Sequence, residues 1–528
     1  MSVLGYPKLS KLMAMIRNES LKLPIVFHEY SHAMGNSCGD LRFYDDIVQT
    51  HDKCMGGFIW EWCDQAVRLK DEKGREYFGY GGDFGEKHHL YNVCMDGLVS
   101  PDRVPHSALL EAGACFSPVK ISRVNEKEYE VFNRNYFCAT DVYELRYEIV
   151  LDNVVTESGC IDTCIAPRER AVVRVETKDT YCARDAIIRF FVTLRQDTPW
   201  EKKGFAVYKN TFPLNCQKAE TAAPGKAILA ETDSAYSVTA NGLTYIIRKD
   251  EGVIGQIKNG EKELLSGQLE LCAWRMPTDN DNQLVGGNNG TIFGGGVGQS
   301  WRLTRRFGEL PYPWVEVTDL CAREEGEAVV ISGDFIFSVP GRTYLSTGHI
   351  QYRFDGEGVS IHQTGEIQKA LEFWLPRYGY RLPFAAALTD VNYFGYGPEE
   401  CYEDKREYAT LDWYGYGIDD EKNSYEKPQE CNSRLDTKWL KFNADGVDFE
   451  ISADSFSFCA TAYDVSEVWK YSHKKDAPKA SGTFLHLDYR MSGVGSRSCG
   501  GDEPQSDCRI NPGEAVDFTV TIKAKPAK

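Results

Sequence analysis

At roughly 150 residues per domain, 528 residues allow three or four domains and a sizeable core, which excludes a single small module. Sixty Lys and Arg against 78 Asp and Glu leave a formal charge of −18, which disfavours a nucleic-acid backbone or an anionic membrane as principal partner. The hydrophobic content of 42% is that of an ordinary folded chain. No apolar run reaches the ~18 residues of a membrane span and MSVLGYPKLSK lacks the features of a secretory signal, so the chain reads as cytoplasmic.

In chain order, LPIVF (23–27) predicts a short strand, GDLRFYDDIVQTHD (39–52) a helix that starts near Asn36 or Ser37, and MGGFIW (55–60) a second strand. Strand, helix and strand in about 40 residues form a parallel βαβ unit, whose chemistry belongs at the carboxyl ends of the strands, at Glu29 and Trp60. PHSALLEAGACF (105–116) reads as a final helix, after which period-2 alternation takes over. VYELRYEIVL (142–151) and IIRFFVTL (187–194) are spaced as in a small β-sandwich. Asn241-Gly242 and Asn259-Gly260 are type I′ hairpin signals within a long strand-rich stretch that points to a large antiparallel sandwich. GGNNGTIFGGGVGQ (286–299) reads as a loop, not a phosphate cradle, because no Lys-Ser/Thr follows. The 17 cysteines include no CxxC, the closest pair being Cys160 and Cys164, and read as small apolar residues in a reducing compartment.

HEYSH (28–32) matches H-E-x-x-H, which binds zinc when a helix places both histidines on one face. Pro24 and β-branched residues precede it, and Gly35 and Asn36 follow closely. A strand end therefore fits better, and there His28 and His32 do not share a face.

Read more widely, HEYSHAMGNS (28–37) followed by GGFIWEWCDQ (56–65) resembles the β-galactosidase signature of glycoside hydrolase family 2. YGGDFGEKHHLYNVCMDGLVSPDR (80–103), RMPTDND (275–281), YFGYGPEECYEDK (393–405), PQECNSR (428–434) and MSGVGS (491–496) extend the resemblance nearly to Lys528. It implies a multidomain, mainly β chain. Residues 1–117 would be the C-terminal remnant of a (β/α)8 TIM barrel, from just before its seventh strand; 118–220 an immunoglobulin-like β-sandwich; and 221–528 a large antiparallel, galactose-mutarotase-like sandwich.

The resemblance further implies retaining hydrolysis of β-galactosides such as lactose, with Glu29 as nucleophile, Trp60 as an aromatic platform under the sugar and His32 hydrogen-bonding its hydroxyls. Asp96, where the family has Asn, binds the sugar 6-hydroxyl and a sodium ion; Val93, where the family has Phe, lends that ion a backbone carbonyl. Magnesium is implied too, with its ligands, the general acid/base and six barrel strands outside this chain. SRSCGG (496–501) has no Trp where some members place one over the sugar, Gly500 being the nearest position.

A retaining glycosidase needs a second carboxylate ~5–5.5 Å from the nucleophile. Glu61 is adjacent to Trp60, and neighbouring strand residues face opposite sides, so it is not expected to substitute; Asp83 and Glu86 fall in a loop. The expected partners are a β-galactoside, an N-terminal half supplied in trans or lost by truncation, and further copies in a homo-oligomer of the complete enzyme. Residues 1–117 are expected to order fully only against that half. The alternatives are a non-catalytic carbohydrate-binding or assembly module and a zinc hydrolase.

Overall fold

Three parallel strands open the chain: β1 (Ser2–Gly5), β2 (Ile25–Tyr30) and β3 (Cys54–Ile59), in the order β1-β2-β3. Helices α1 (Leu9–Arg17) and α2 (Leu41–Thr50) cross between them. The barrel segment thus holds three strands where the sequence reading expected two, because SVLG is too short for a period to show. The computed structural model describes residues 2–217, 225–281, 310–341, 343–419, 424–496 and 503–527. The Gly-rich stretch 286–299 and Gly500 lie outside the described residues.

Leu12, Ile25, Phe27, Leu41 and Cys115 have no exposed surface and join the strands to the helices, including α3 (Ser107–Cys115). Helix α2 starts after Asp40, which takes a left-handed φ of 61°, not at Asn36 or Ser37. Those two side chains are committed elsewhere: Ser37 Oγ donates to the His32 carbonyl, and Asn36 bonds the large sandwich.

The second unit packs a three-stranded sheet (Val119–Arg123, Glu128–Asn133, Arg170–Arg174) on a four-stranded one (Tyr143–Leu151, Val154–Ile161, Ala186–Leu194, Ala206–Pro213). Alternate residues such as Ile121, Val131, Ile188 and Phe190 fill the space between them. Arg134 clamps this unit to α2 by donating to both oxygens of Asp45, at 2.5 and 2.7 Å, in a buried fork.

From Ile228 on, a five-stranded sheet and a 12-stranded sheet share one apolar core. Asn241 and Gly242, with φ of 49° and 81°, form the expected hairpin turn. At the second hairpin Asn259 pairs with Lys262, so the loop is Gly260-Glu261, shifted by one residue. Gly260 alone supplies the positive φ, 62°, as a type II′ turn needs. All 16 described cysteines are free thiols, and among the described residues no helix is long and apolar enough to cross a membrane.

A hairpin of β4 (Val67–Lys70) and β5 (Glu76–Gly79) docks on the large sandwich through His473. Its Nδ1 lies 2.8 Å from Glu426 and its Nε2 3.1 Å from Asp83, so both ring nitrogens must carry protons to serve both carboxylates. The Glu426 carboxylate also accepts from Phe78 N, the Tyr80 ring packs at a tilt against the imidazole, and Arg75 bonds Asp476 beside it. Burial alone would lower the His473 pKa, but the two carboxylates outweigh it and raise it. The stabilisation is therefore complete below the unfolded value near 6.5 and is lost as pH rises through the higher folded value. Urea unfolding of wild type and His473→Gln should accordingly differ most at acid pH, with the gap closing as pH rises; a gap that widens with pH would contradict the tether.

Candidate active site

Strand β2 delivers Glu29 to the carboxyl end of the sheet. The inward residues Ile25 and Phe27 anchor the strand, and its register against β3 slips between Phe27 and Tyr30, which frees the last residues from strict pairing. The Glu29 side chain is a third exposed, with its Oε1 4.0 Å from His28 Nε2. The His28 ring lies over Gly5, where a Cβ would approach its Cε1 to 2.8 Å and push the ring aside.

Beyond β2 the chain turns at Ser31, with φ 51°, and buries His32. HEYSH is therefore a strand end and a turn, with His28 half-exposed and His32 buried, which excludes the zinc-helix arrangement. His32 N donates to Ser496 O at 2.7 Å, and its ring meets Tyr6 edge-on. Burial lowers its pKa to about 4, so at neutral pH it is an uncharged imidazole.

His32 Nε2 stands 3.7 Å from Asp96 Oδ2, and Trp60 Nε1 donates to that same oxygen at 2.9 Å. The three expected sugar-contacting residues thus meet at one carboxylate, with the Trp60 ring 41% exposed. Burial pushes the Asp96 carboxyl up to about 7; the Trp60 N–H opposes the rise and neighbouring Glu61 adds to it. Among the described residues, Asp96 Oδ1 is buried without a hydrogen-bond partner. Val93 belongs to the single turn Tyr91–Cys94, which Asn92 ties to the large sandwich through Asp279 at 2.9 Å.

Glu61 departs from the alternation argument. Strand β3 ends at Ile59, so period 2 no longer applies, and the Glu61 carboxyl reaches the same Asp96 as Trp60. Asp83 accepts from Tyr80 N and faces His473, while Glu86 accepts from Gly82 N and Phe84 N; both serve their own loop and its docking.

What the sequence reading missed is the wall behind the site. Lys405 Nζ, fully buried, donates to Asn36 Oδ1 at 2.5 Å and Ser107 Oγ at 2.8 Å and pairs with Glu400 at 3.3 Å. Asn36 N donates to Gln429 Oε1, and Asn36 Nδ2 to Glu430 O. Asp404 accepts from Val494 N and Gly495 N, and its carbonyl accepts from Asp40 N. The backbone N–H and both side-chain polar groups of Asn36 therefore end on the large sandwich, at residues more than 360 positions away. The segments 393–405 and 428–434 carried the resemblance, but nothing in them announced which loop they hold.

Among the described residues no cluster of three or more His, Cys, Asp or Glu side chains is arranged to hold a metal ion. The described residues do not offer a magnesium ligand set of that kind, whereas the buried, unpartnered Asp96 oxygen is the type of oxygen donor a hard monovalent cation takes.

Comparison with known families agrees along the chain. Residues 4–121 match the glycosyl hydrolases family 2 TIM barrel domain, 129–215 β-galactosidase domain 4, and 239–522 the β-galactosidase small chain. The β-galactosidase of Actinobacillus pleuropneumoniae is 30% identical over 488 residues, covering 90% of this chain and 46% of its own length. That of Staphylococcus xylosus is 29% identical over 528 residues, covering 96% and 50%. The chain spans about half the length of the curated relatives it matches. Among solved structures, a galactose 1-epimerase from Lactobacillus acidophilus NCFM aligns with 58% of this chain and all of its own at 10% identity and a TM-score of 0.31. With barrel segment, domain 4 and small-chain domain in unbroken order, the chain belongs to the β-galactosidases of glycoside hydrolase family 2 and corresponds to their C-terminal portion.

Proposed function

We propose that this chain supplies the nucleophile side of a retaining β-galactosidase site. Glu29 attacks the anomeric carbon of a β-galactoside, the glycosidic bond breaks, and a galactosyl ester forms that water then hydrolyses. The observation that carries this reading is the convergence of His32 and Trp60 on Asp96 beside the strand end that presents Glu29. Trp60 offers an exposed indole to the apolar face of the sugar, while neutral His32 and the Asp96 carboxyl exchange hydrogen bonds with its hydroxyls. Asp96 and the Val93 carbonyl would hold a sodium ion, which would offset the buried charge and bind a sugar hydroxyl.

The departing oxygen needs a proton; Asp83 and Glu86 are committed to their own loop, and Glu61 accepts from Gln65 and lies against Asp96. We assign the general acid to barrel strands that pair with the free edges of β1 and β3, where Met55, Phe58 and Trp62 are 60% or more exposed. Magnesium belongs to that partner half, and the complete enzyme is read as a homo-oligomer. The free thiols of the described cysteines fit a reducing, cytoplasmic setting.

Intact-mass analysis after incubation with a 2-fluoro-galactosyl donor bearing a dinitrophenyl leaving group tests the assignment, since that leaving group departs without acid help. One covalent adduct on Glu29, lost in Glu29→Gln, is expected. An adduct on another residue, or none even after an N-terminal barrel half is added in trans, would overturn it.

A further inference from the structure

A cavity opens where the barrel segment meets the large sheet, reaching Asn92 and Met95 beside Val93 and Asp96. Its volume is about 740 Å³, within the roughly 300–1,000 Å³ of small-molecule sites. Tyr77 and Phe78 of β5 and the loop through His106 form one wall, and segments 424–429 and 474–479 of the large sandwich form the other. His106 is held by Asp64 at 2.9 Å and stacks on Tyr425, so this wall is set before any ligand arrives. Glu29, His32, Trp60 and Asp96 do not line it.

The cleft leads into a smaller pocket of about 40 Å³, with which it shares Asp419, Ser424, Tyr425, Gln429, Tyr463 and Lys474. The inner pocket ends on Arg377, Glu430 and His486, which are 2% exposed or less. Arg377 Nη1 can only donate, so the 3.1 Å contact makes His486 Nδ1 the acceptor and leaves the ring proton on Nε2. Among the described residues, that Nε2, Arg377 Nη2 and Glu430 Oε1 have no hydrogen-bond partner. The last two stand 3.6 Å apart, too far for a direct bond.

Arg377 Nε is directed at the buried Asp488 carboxylate, 3.1 Å away, which leaves two buried donors and one buried acceptor of this group facing the pocket without a partner, and such groups are costly to leave unmet. An anion there would meet Glu430, and a cation would meet Arg377. Only a neutral group that both donates and accepts suits all three, and a hydroxyl does so. The inner pocket has room for about three waters or one hydroxymethyl-sized group, and the outer cleft for a sugar ring.

We propose that this cleft is a second carbohydrate-binding site, which seats a neutral monosaccharide in its outer part and inserts one hydroxyl among Arg377, Glu430 and His486. It does not depend on the reaction assigned to Glu29. Saturation-transfer NMR on the full chain with D-galactose and D-glucose tests it. Saturable binding is expected in wild type and in Trp60→Ala, which disables the platform at the other site. Binding should be lost in Ser424→Trp, whose half-buried position lets an indole fill the cleft without touching the core. Glu430→Gln, which keeps shape but removes the charged acceptor, should weaken binding about tenfold with an unchanged circular dichroism spectrum. Binding that survives Ser424→Trp and vanishes in Trp60→Ala would assign the sugar to the Glu29 site and overturn the proposal. No saturable binding of either sugar would mean that the pocket holds water only.

Discussion

Replacing Lys405 with Met is expected to remove about 3–5 kcal/mol of folding stability, because it leaves a buried carboxylate without its cation. Burial pushes the Glu400 carboxyl up, but the Lys405 ammonium, the Tyr425 and Ser107 hydroxyls and the Asn432 N–H outweigh it and hold it below its ordinary value. In wild type its contribution is present above the unfolded value near 4.3 and is lost only as pH falls through the lower folded value. In Lys405→Met burial dominates, the folded value rises, and the protonated form becomes the stable one. The deficit should therefore be largest at neutral pH and shrink as pH falls through the carboxylate range. Urea unfolding across that range reads both the size and the slope; a deficit under about 1 kcal/mol, typical of an exposed pair, or one that does not change with pH would refute this account.

The second large effect belongs to Gly35. Its φ of 59° lies in the left-handed region, which costs other residues about 1–2 kcal/mol. A Cβ there would also overlap the Asp279 carboxylate and the Gln429 amide, an overpacking worth about 1–3 kcal/mol. Gly35→Ala should lose about 2–5 kcal/mol in total, and the loss should be local before it is global. Hydrogen exchange at the amides of residues 32–40 is expected to speed up well before the apolar core around Phe27 opens. Uniform exchange across the barrel segment, or a variant as stable as wild type, would show that this close approach does not control the loop.

Both variants act on the loop between β2 and α2, and both act through the large sandwich. That explains what was legible in the sequence. The apolar run before Glu29 and the helical period of LRFYDDIVQT are local signals, and the strand and helix form where those signals lie. Strand β1 has four residues and no alternation to read. The start of α2 was misplaced because Asn36 and Ser37 are good capping residues whose side chains are taken by Glu430, Lys405 and the His32 carbonyl. The hairpin at Gly260 slipped by one because Asn-Gly and Gly-Glu both permit a two-residue loop and pairing with Lys262 chose between them.

The same division holds for the site. The sequence by itself determined the order of the domains, the strand end that carries Glu29 and the chemical types of His32, Trp60 and Asp96, because hydrophobic periodicity, turn chemistry and motif spacing all act within a few tens of residues. Only the tertiary structure decided that Trp60, Glu61 and His32 meet at Asp96, that His32 is neutral, and that Lys405 holds Asn36. Those outcomes rest on burial and on charges brought close from positions hundreds of residues apart, and neither quantity exists until the barrel segment and the large sandwich have packed together.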